Sequence, residues 1–412
     1  MSICRSQRHL AVFTLGMLSV LCGCVTQEVR SVDLTPPQAS ATPIEEALLL
    51  DVGVSIFDAN VPEDYDDQIA ELIQPEVRRA EASYMPYVAK NLLQSTGNWG
   101  AVRVVPRPTD AVDLTVEGTI IESTGESLTL NLKVSDATGR EWFQKDYKAL
   151  ASKYAYDDTM PPDVDAFQAV YKALADDMLA YREALTDEQV LNIRRTAEMK
   201  FARGFVPDAF DTHVSEAEDG TFALKRLPAS DDPMLSQVRR VREREYLFID
   251  TLDEYYANFQ RSMYTAYQSW RSATYAEVIA NRQLQAQARS RMIGGTLAIV
   301  GGIGGIYESD NAYVDASGLG AIFGGVTLIK SAVLKRHEAA MHAEVIREVG
   351  TAAEAELIPF TMDLENQTIR LQGTVDEQYT ELRRILRNMY YEDLGLTPPE
   401  LPPQEPDPEP AL

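Results

Sequence analysis

Leu128-Thr129-Leu130-Asn131-Leu132-Lys133-Val134 decides how this chain is read. Apolar and polar residues alternate through the stretch. Successive side chains of a β-strand point to opposite faces. Leu128, Leu130, Leu132 and Val134 therefore share one face, and Thr129, Asn131 and Lys133 share the other, as in a half-buried strand. Asp136-Ala137-Thr138-Gly139 follows as a turn. Trp142 to Tyr147 is then the returning strand.

Reading outward, Leu114, Val116 and Gly118 begin the strand before it. Val102, Val104 and Val105 mark another, stopped by Pro106 and Pro108. Between Gln74 and Leu93 the spacing becomes helical, with Val77, Tyr84, Val88 and Leu92 recurring on one side. Ala47 to Phe57 is apolar enough for a buried strand, and Val164 to Leu179 reads as a second helix. Residues 47–180 are thus expected to form one compact α/β unit.

The order strand, helix, strand is followed by Val112-Asp113-Leu114-Thr115-Val116-Glu117-Gly118-Thr119-Ile120. An alternating strand then ends in Ser135-Asp136-Ala137-Thr138-Gly139. This pattern resembles the TolB amino-terminal type of α/β domain. That domain recurs in envelope lipoproteins, among them curli-secretion channel subunits and outer-membrane activators of penicillin-binding proteins. The resemblance covers residues 47–180 and implies an interaction domain without catalysis. Those families carry no counterpart to the long helical insert that comes next.

Residues 181–357 are expected to be helical. A stretch over residues 186–215 is broken by Gly204 and Pro207. Asp232-Pro233 then opens a run to about Arg291, with aspartate as the cap and proline in the first turn. Ile249, Leu252, Tyr256, Phe259, Met263, Ala266, Trp270 and Ala273 recur at alternating spacings of three and four, a heptad seam. The seam is either the core stripe of a bundle or an intermolecular coiled coil.

Met292 to Tyr307 and Ala316 to Ile329 are apolar and rich in glycine. Gly294, Ala298 and Gly302 lie four apart, and so do Ala316, Gly320 and Gly324. Small residues at this spacing give a smooth helical face that a second backbone can approach closely. The reading is a glycine-rich hairpin over residues 292–329, with the acidic stretch Glu308 to Asp315 as its tip. It packs either within the protein or between subunits, or it contacts a membrane. Each arm falls short of the ~20 residues that a spanning helix needs. Arg289, Arg291, Lys330, Lys335 and Arg336 would also put positive charge on the wrong side. Ser331 to Leu357 continues as helix. Residues 358–396 hold two strands, around Phe360–Leu364 and Thr368–Gln372, and a helix from Val375 to Glu392. The expected fold class is therefore α+β: an α/β domain, a long helical region with a glycine-rich hairpin, and a β-hairpin plus helix.

The ends of the chain carry other signals. Arg5, Arg8 and His9 precede an uncharged, mostly apolar run from Leu10 to Leu21, the layout of a secretory signal peptide over residues 1–23. Leu21-Cys22-Gly23-Cys24 resembles the bacterial lipobox. The resemblance implies cleavage after Gly23 and a lipid on Cys24, and Val25 after the cysteine favours the outer membrane, with the protein facing the periplasm. Cleavage would remove Cys4 and Cys22, and the lipid would consume Cys24, so the mature chain would keep no free thiol. Residues 24–46 read as a lipidated, flexible tether containing Pro36, Pro37 and Pro43. Residues 397–412 read as a disordered, Pro-rich tail.

The formal charge of −25 argues against nucleic acid and anionic headgroups as partners, and no nucleic-acid partner is expected. The expected partners are a membrane through the lipid, other envelope proteins and a second copy of the chain. No cofactor or metal site is expected. His337-Glu338-Ala339-Ala340-Met341-His342 is one residue too long for a zinc-protease motif, which needs its histidines four apart on one helical face. The pairs Asp66-Asp67, Asp157-Asp158 and Asp176-Asp177 read as solvated surface. With no nucleophile elbow, phosphate loop or dinucleotide fingerprint, catalysis is not expected. A scaffold or regulator and a multimeric secretion conduit remain as the two functional readings.

Overall fold

A computed structural model describes residues 35–70, 73–152, 154–157, 164–229, 231–302, 340–351, 360–364, 367–395 and 397–398; of 69–70, 281–302, 360–364 and 367–368 it describes the backbone alone. The chain is α+β. Strand β1 (Val52–Ser55) leads through helices α1 (Tyr65–Ala70) and α2 (Pro75–Ser95) to β2 (Val102–Val105), which lies parallel to it. Strand β3 (Leu114–Ser123) is parallel to β1 on its other side. Strands β4 (Ser127–Asp136) and β5 (Glu141–Leu150) then return in antiparallel steps, giving the order β2-β1-β3-β4-β5.

The alternating stretch lies in the middle of β4. Leu128, Leu130, Leu132 and Val134 are fully buried, while Asn131 and Lys133 stay partly exposed among Asp146, Gln144 and Glu117. The turn into β5 places Gly139 at a φ of +79°, a conformation that suits glycine.

Helix α3 (Gln168–Glu183) packs with α2 on the apolar face of the sheet. Helix α4 (Asp187–Phe205) starts from a capping box made by Thr186 and Gln189, and α5 (Pro207–Phe210) follows. Strands β6 (Val214–Glu216) and β7 (Phe222–Leu224) form a small hairpin where the sequence reading expected helix as far as residue 215. Three-residue strands are too short to show a period. Helix α6 runs from Pro233 to Gly302, and the Asp232 carboxylate accepts from the Met234 and Leu235 N–H groups as its cap. Residues 340–351 form α7. Strands β8 (Phe360–Leu364) and β9 (Gln367–Leu371) pair, and α8 (Val375–Asp393) follows from a second capping box.

Helix α6 runs through two cores. Phe248, Ile249, Leu252 and Tyr256 pack with Phe205, Phe210, Leu382 and Leu386 of α4, α5 and α8. Phe259, Met263, Tyr267, Trp270 and Ala273 join the core under the sheet. All eight seam residues are buried, so the heptad stripe is used inside the chain. The α/β unit therefore shares its core with residues far beyond 180. Helix α2 shows the same effect: it lies between the sheet and α6, so Arg78 and Glu81 are buried with Val77, Tyr84, Met85, Ala89 and Leu93, while Val88 and Leu92 of the expected stripe are only half-buried.

The stretch expected to be a flexible tether is held from Gln38 onward. The Gln38 N–H donates to Asp176 Oδ1 at 2.7 Å, and the Ser40 N–H donates to Asn98 Oδ1 at 2.9 Å. Asn98 in turn donates to the Gln38 carbonyl at 3.0 Å.

Candidate functional site

The polar groups of greatest consequence lie where α6 crosses α2 and α3. Arg271 is fully buried, and its Nη1 donates to Asp165 Oδ2 at 2.7 Å. Its guanidinium faces the rings of Tyr267 and Phe167 at 4.0 and 4.9 Å. Glu81 of α2 is also buried, and it accepts from Tyr267 Oη at 2.5 Å and Ser123 Oγ at 2.6 Å. Trp270 Nε1 donates to Gln74 Oε1 at 2.8 Å. Burial works to lower the Arg271 value, but Asp165 and the surrounding phenols raise it further, so the guanidinium stays charged. Burial pushes the phenols of Tyr84, Tyr156, Tyr171 and Tyr267 up, which keeps them neutral donors. The β3–β4 turn presses on α6 at this level. A Cβ on Gly125 would lie 1.9 Å from the Arg271 carbonyl oxygen and 2.3 Å from the Tyr275 nitrogen.

A cleft of about 370 Å³ opens over this network, between α2, the start of α3 and α6. Tyr84, Asp165 and Tyr171 line it, together with Asn91, Gln168 and Gln260. The Tyr171 hydroxyl is buried and has no hydrogen-bond partner among the described residues; neither do Arg271 Nε and Nη2.

Other acids are buried elsewhere, Asp113 and Glu245 among them. Asp113, at the start of β3, accepts from the Asp51 N–H at 2.9 Å. Arg194 Nε and Arg242 Nη2 come only to 3.8 and 4.0 Å from it. Arg242 instead donates to the Ala111 carbonyl, from Nε at 3.0 Å and from Nη2 at 2.5 Å. Burial pushes the Asp113 carboxyl up to about 6, against the opposing pull of Arg242 and the Asp51 N–H. Glu245 of α6 is fully buried as well; it accepts from the hydroxyls of Tyr379 and Thr109 and lies 3.6 Å from Arg383 Nε.

Of the residues singled out in the sequence, Cys24, Ala316, Gly320, Gly324 and His337 lie outside the described residues. Gly294, Ala298 and Gly302 lie on α6, past Glu277, in unbroken helical conformation. His342 is half-buried on α7, and His213 Nδ1 lies 3.0 Å from the Arg226 carbonyl. Among the described residues no group of His, Cys, Asp and Glu is arranged to hold a metal, and no helix is long and apolar enough to cross a membrane.

Asp66 and Asp67 are exposed, as expected for solvated acids. Asp176 and Asp177 are half-exposed and have partners: the first accepts from the Gln38 N–H, and the second from Lys145 Nζ and Tyr147 Oη. Nothing in the sequence singles out Arg271, Asp165, Glu81, Asp113 or Glu245. Gln260, Tyr264, Tyr267 and Arg271 do repeat at helical spacing beside the seam, but Gln260 and Tyr264 stay only half-buried, so the repeat does not mark a buried face. Compared with known proteins, the chain matches no family model, no curated protein and no solved structure.

Proposed function

We propose that this protein is a non-catalytic outer-membrane lipoprotein, anchored through Cys24 and facing the periplasm. In this reading it acts as a scaffold or regulator in envelope biogenesis or secretion, through contacts with other envelope proteins. The signal-peptide layout and lipobox of residues 1–24 support the anchor, and the TolB-like pattern of residues 47–180 supports an interaction role. The observation that carries the scaffold reading is α6. One continuous helix passes through both cores and continues past Glu277 to Gly302. A partner that grips its far end is connected through one element to both cores.

A second reading, a multimeric conduit built from the glycine-rich hairpins, is favoured by the four-residue spacing of Gly294, Ala298 and Gly302 on that unbroken helix. A photo-crosslinking residue at Ala298 of the lipidated full chain, irradiated in its own envelope, separates the two. Crosslinks to a different envelope protein fit the scaffold, and crosslinks to a second copy fit the conduit. Crosslinks to lipid alone refute the scaffold. Palmitate labelling that persists in Cys24→Ser would refute the anchor.

A further inference from the structure

We propose that the cleft between α2, the start of α3 and α6 binds a neutral, hydroxyl-rich ligand: a short glycan segment. The proposal is independent of the scaffold reading. The cleft, at about 370 Å³, lies in the lower part of the range for small-ligand sites, roughly 300–1,000 Å³.

Its lining chemistry limits what fits. Asn91, Gln168 and Gln260 offer carboxamides, each with a donor and an acceptor, and Ser95 adds a hydroxyl at the rim. Sugar hydroxyls also donate and accept, so they match such groups in either sense. No lysine or arginine is among the lining residues, and the chain is strongly negative, which disfavours an anion. The one lining carboxylate, Asp165, is already engaged: Arg271 donates to one oxygen and the Phe167 N–H to the other. A cation would therefore find little uncompensated charge. Val88 and Leu92 supply an apolar wall for the C–H face of a sugar ring.

The second observation is the Tyr171 hydroxyl. Tyr171 is 1% exposed, lines the cleft, and makes no hydrogen bond among the described residues. Buried polar groups are almost always paired; this oxygen lies just beneath the cleft surface, and a small turn of the ring toward a seated ligand hydroxyl supplies the partner it lacks. An extended peptide could also use the carboxamides. The walls are helices, however, with no free sheet edge to pair a peptide backbone, and the polar lining is not the apolar groove that a helical peptide needs.

The test is calorimetric titration of the purified full-length chain with chitotetraose and with maltotetraose, and of a parallel sample with tetra-alanine. At least one glycan should bind. Asn91→Ala and Gln168→Ala, at exposed and half-buried positions, should each weaken it about fivefold or more with no loss of thermal stability. Tyr171→Phe should weaken it too, whereas Asn192→Ala, outside the cleft, should not. Failure of both glycans to bind at about 10 mM, binding that survives Asn91→Ala and Gln168→Ala, or selective binding of tetra-alanine would each overturn the proposal.

Discussion

Helix α6 brings an arginine to a buried aspartate at two places, and the contacts are built differently. Arg271 touches Asp165 at 2.7 Å, with Tyr267 and Phe167 packed against its guanidinium. Arg242 approaches Asp113 only to 4.0 Å because its donors are committed to the Ala111 carbonyl. The first pair is matched charge to charge. The second leaves a carboxylate that its surroundings do not fully repay, and its value rises to about 6. A nearby opposite charge compensates burial only when its hydrogen bonds are free to reach the acid.

Arg271→Met leaves Asp165 buried without its cation, and it should cost about 3–5 kcal/mol in urea unfolding of the full chain. Adding Asp165→Asn should restore part of that loss. If the single variant is as stable as the parent, the pair is not what fixes α6 to the segment before α3.

Gly125→Val attacks the same junction without touching a charge. The new side chain meets helix backbone, which cannot swing aside, and should cost about 3 kcal/mol, the upper end for overpacking. An unchanged melting temperature would mean that the turn does not press on the helix.

Asp113→Asn should act in the opposite direction. The folded value of about 6 lies above the roughly 3.9 of an unfolded chain, so folding favours the protonated acid. That contribution is complete below about pH 4, falls as pH rises toward 6, and is absent above it. The variant should match the parent near pH 4 and be more stable near pH 7 by about 2 kcal/mol. Equal stability at both pH values would show that Arg194 and Arg242 already balance the acid.

The smallest expected effect is at a neutral anchor. Asn98→Ala removes two hydrogen bonds to the arm and should cost about 1 kcal/mol, seen as faster amide exchange at Ser40. Unaltered exchange there would mean that Asn98 does not hold the arm and that Asp176 and Arg194 do.

What could be read from the sequence follows what has a period. Leu128 to Val134 alternates because one face of β4 meets water, and the seam from Ile249 to Ala273 repeats because one side of α6 meets the core. The buried charges have no such signature. Arg271 and Glu81 look like ordinary surface residues of amphipathic helices until α2 and α6 are laid together, a contact between residues 186 positions apart in the case of Glu81 and Tyr267. The arm looks free in the sequence because its docking depends on Asn98, Asp176 and Arg194, all in distant elements. The residues proposed to line the cleft were equally hidden, since they come from three helices and none is unusual where it stands.

That separation along the chain also sets an order of events. Synthesis proceeds from the amino terminus at about 5–20 residues per second, so the 186 residues from Glu81 to Tyr267 take roughly 10–40 seconds to appear. For that interval the side of α2 that α6 will cover has no cover. Whether the chain is leaving the ribosome or an export channel, α2 arrives before the helix that covers it, so the α/β layer cannot close until α6 follows.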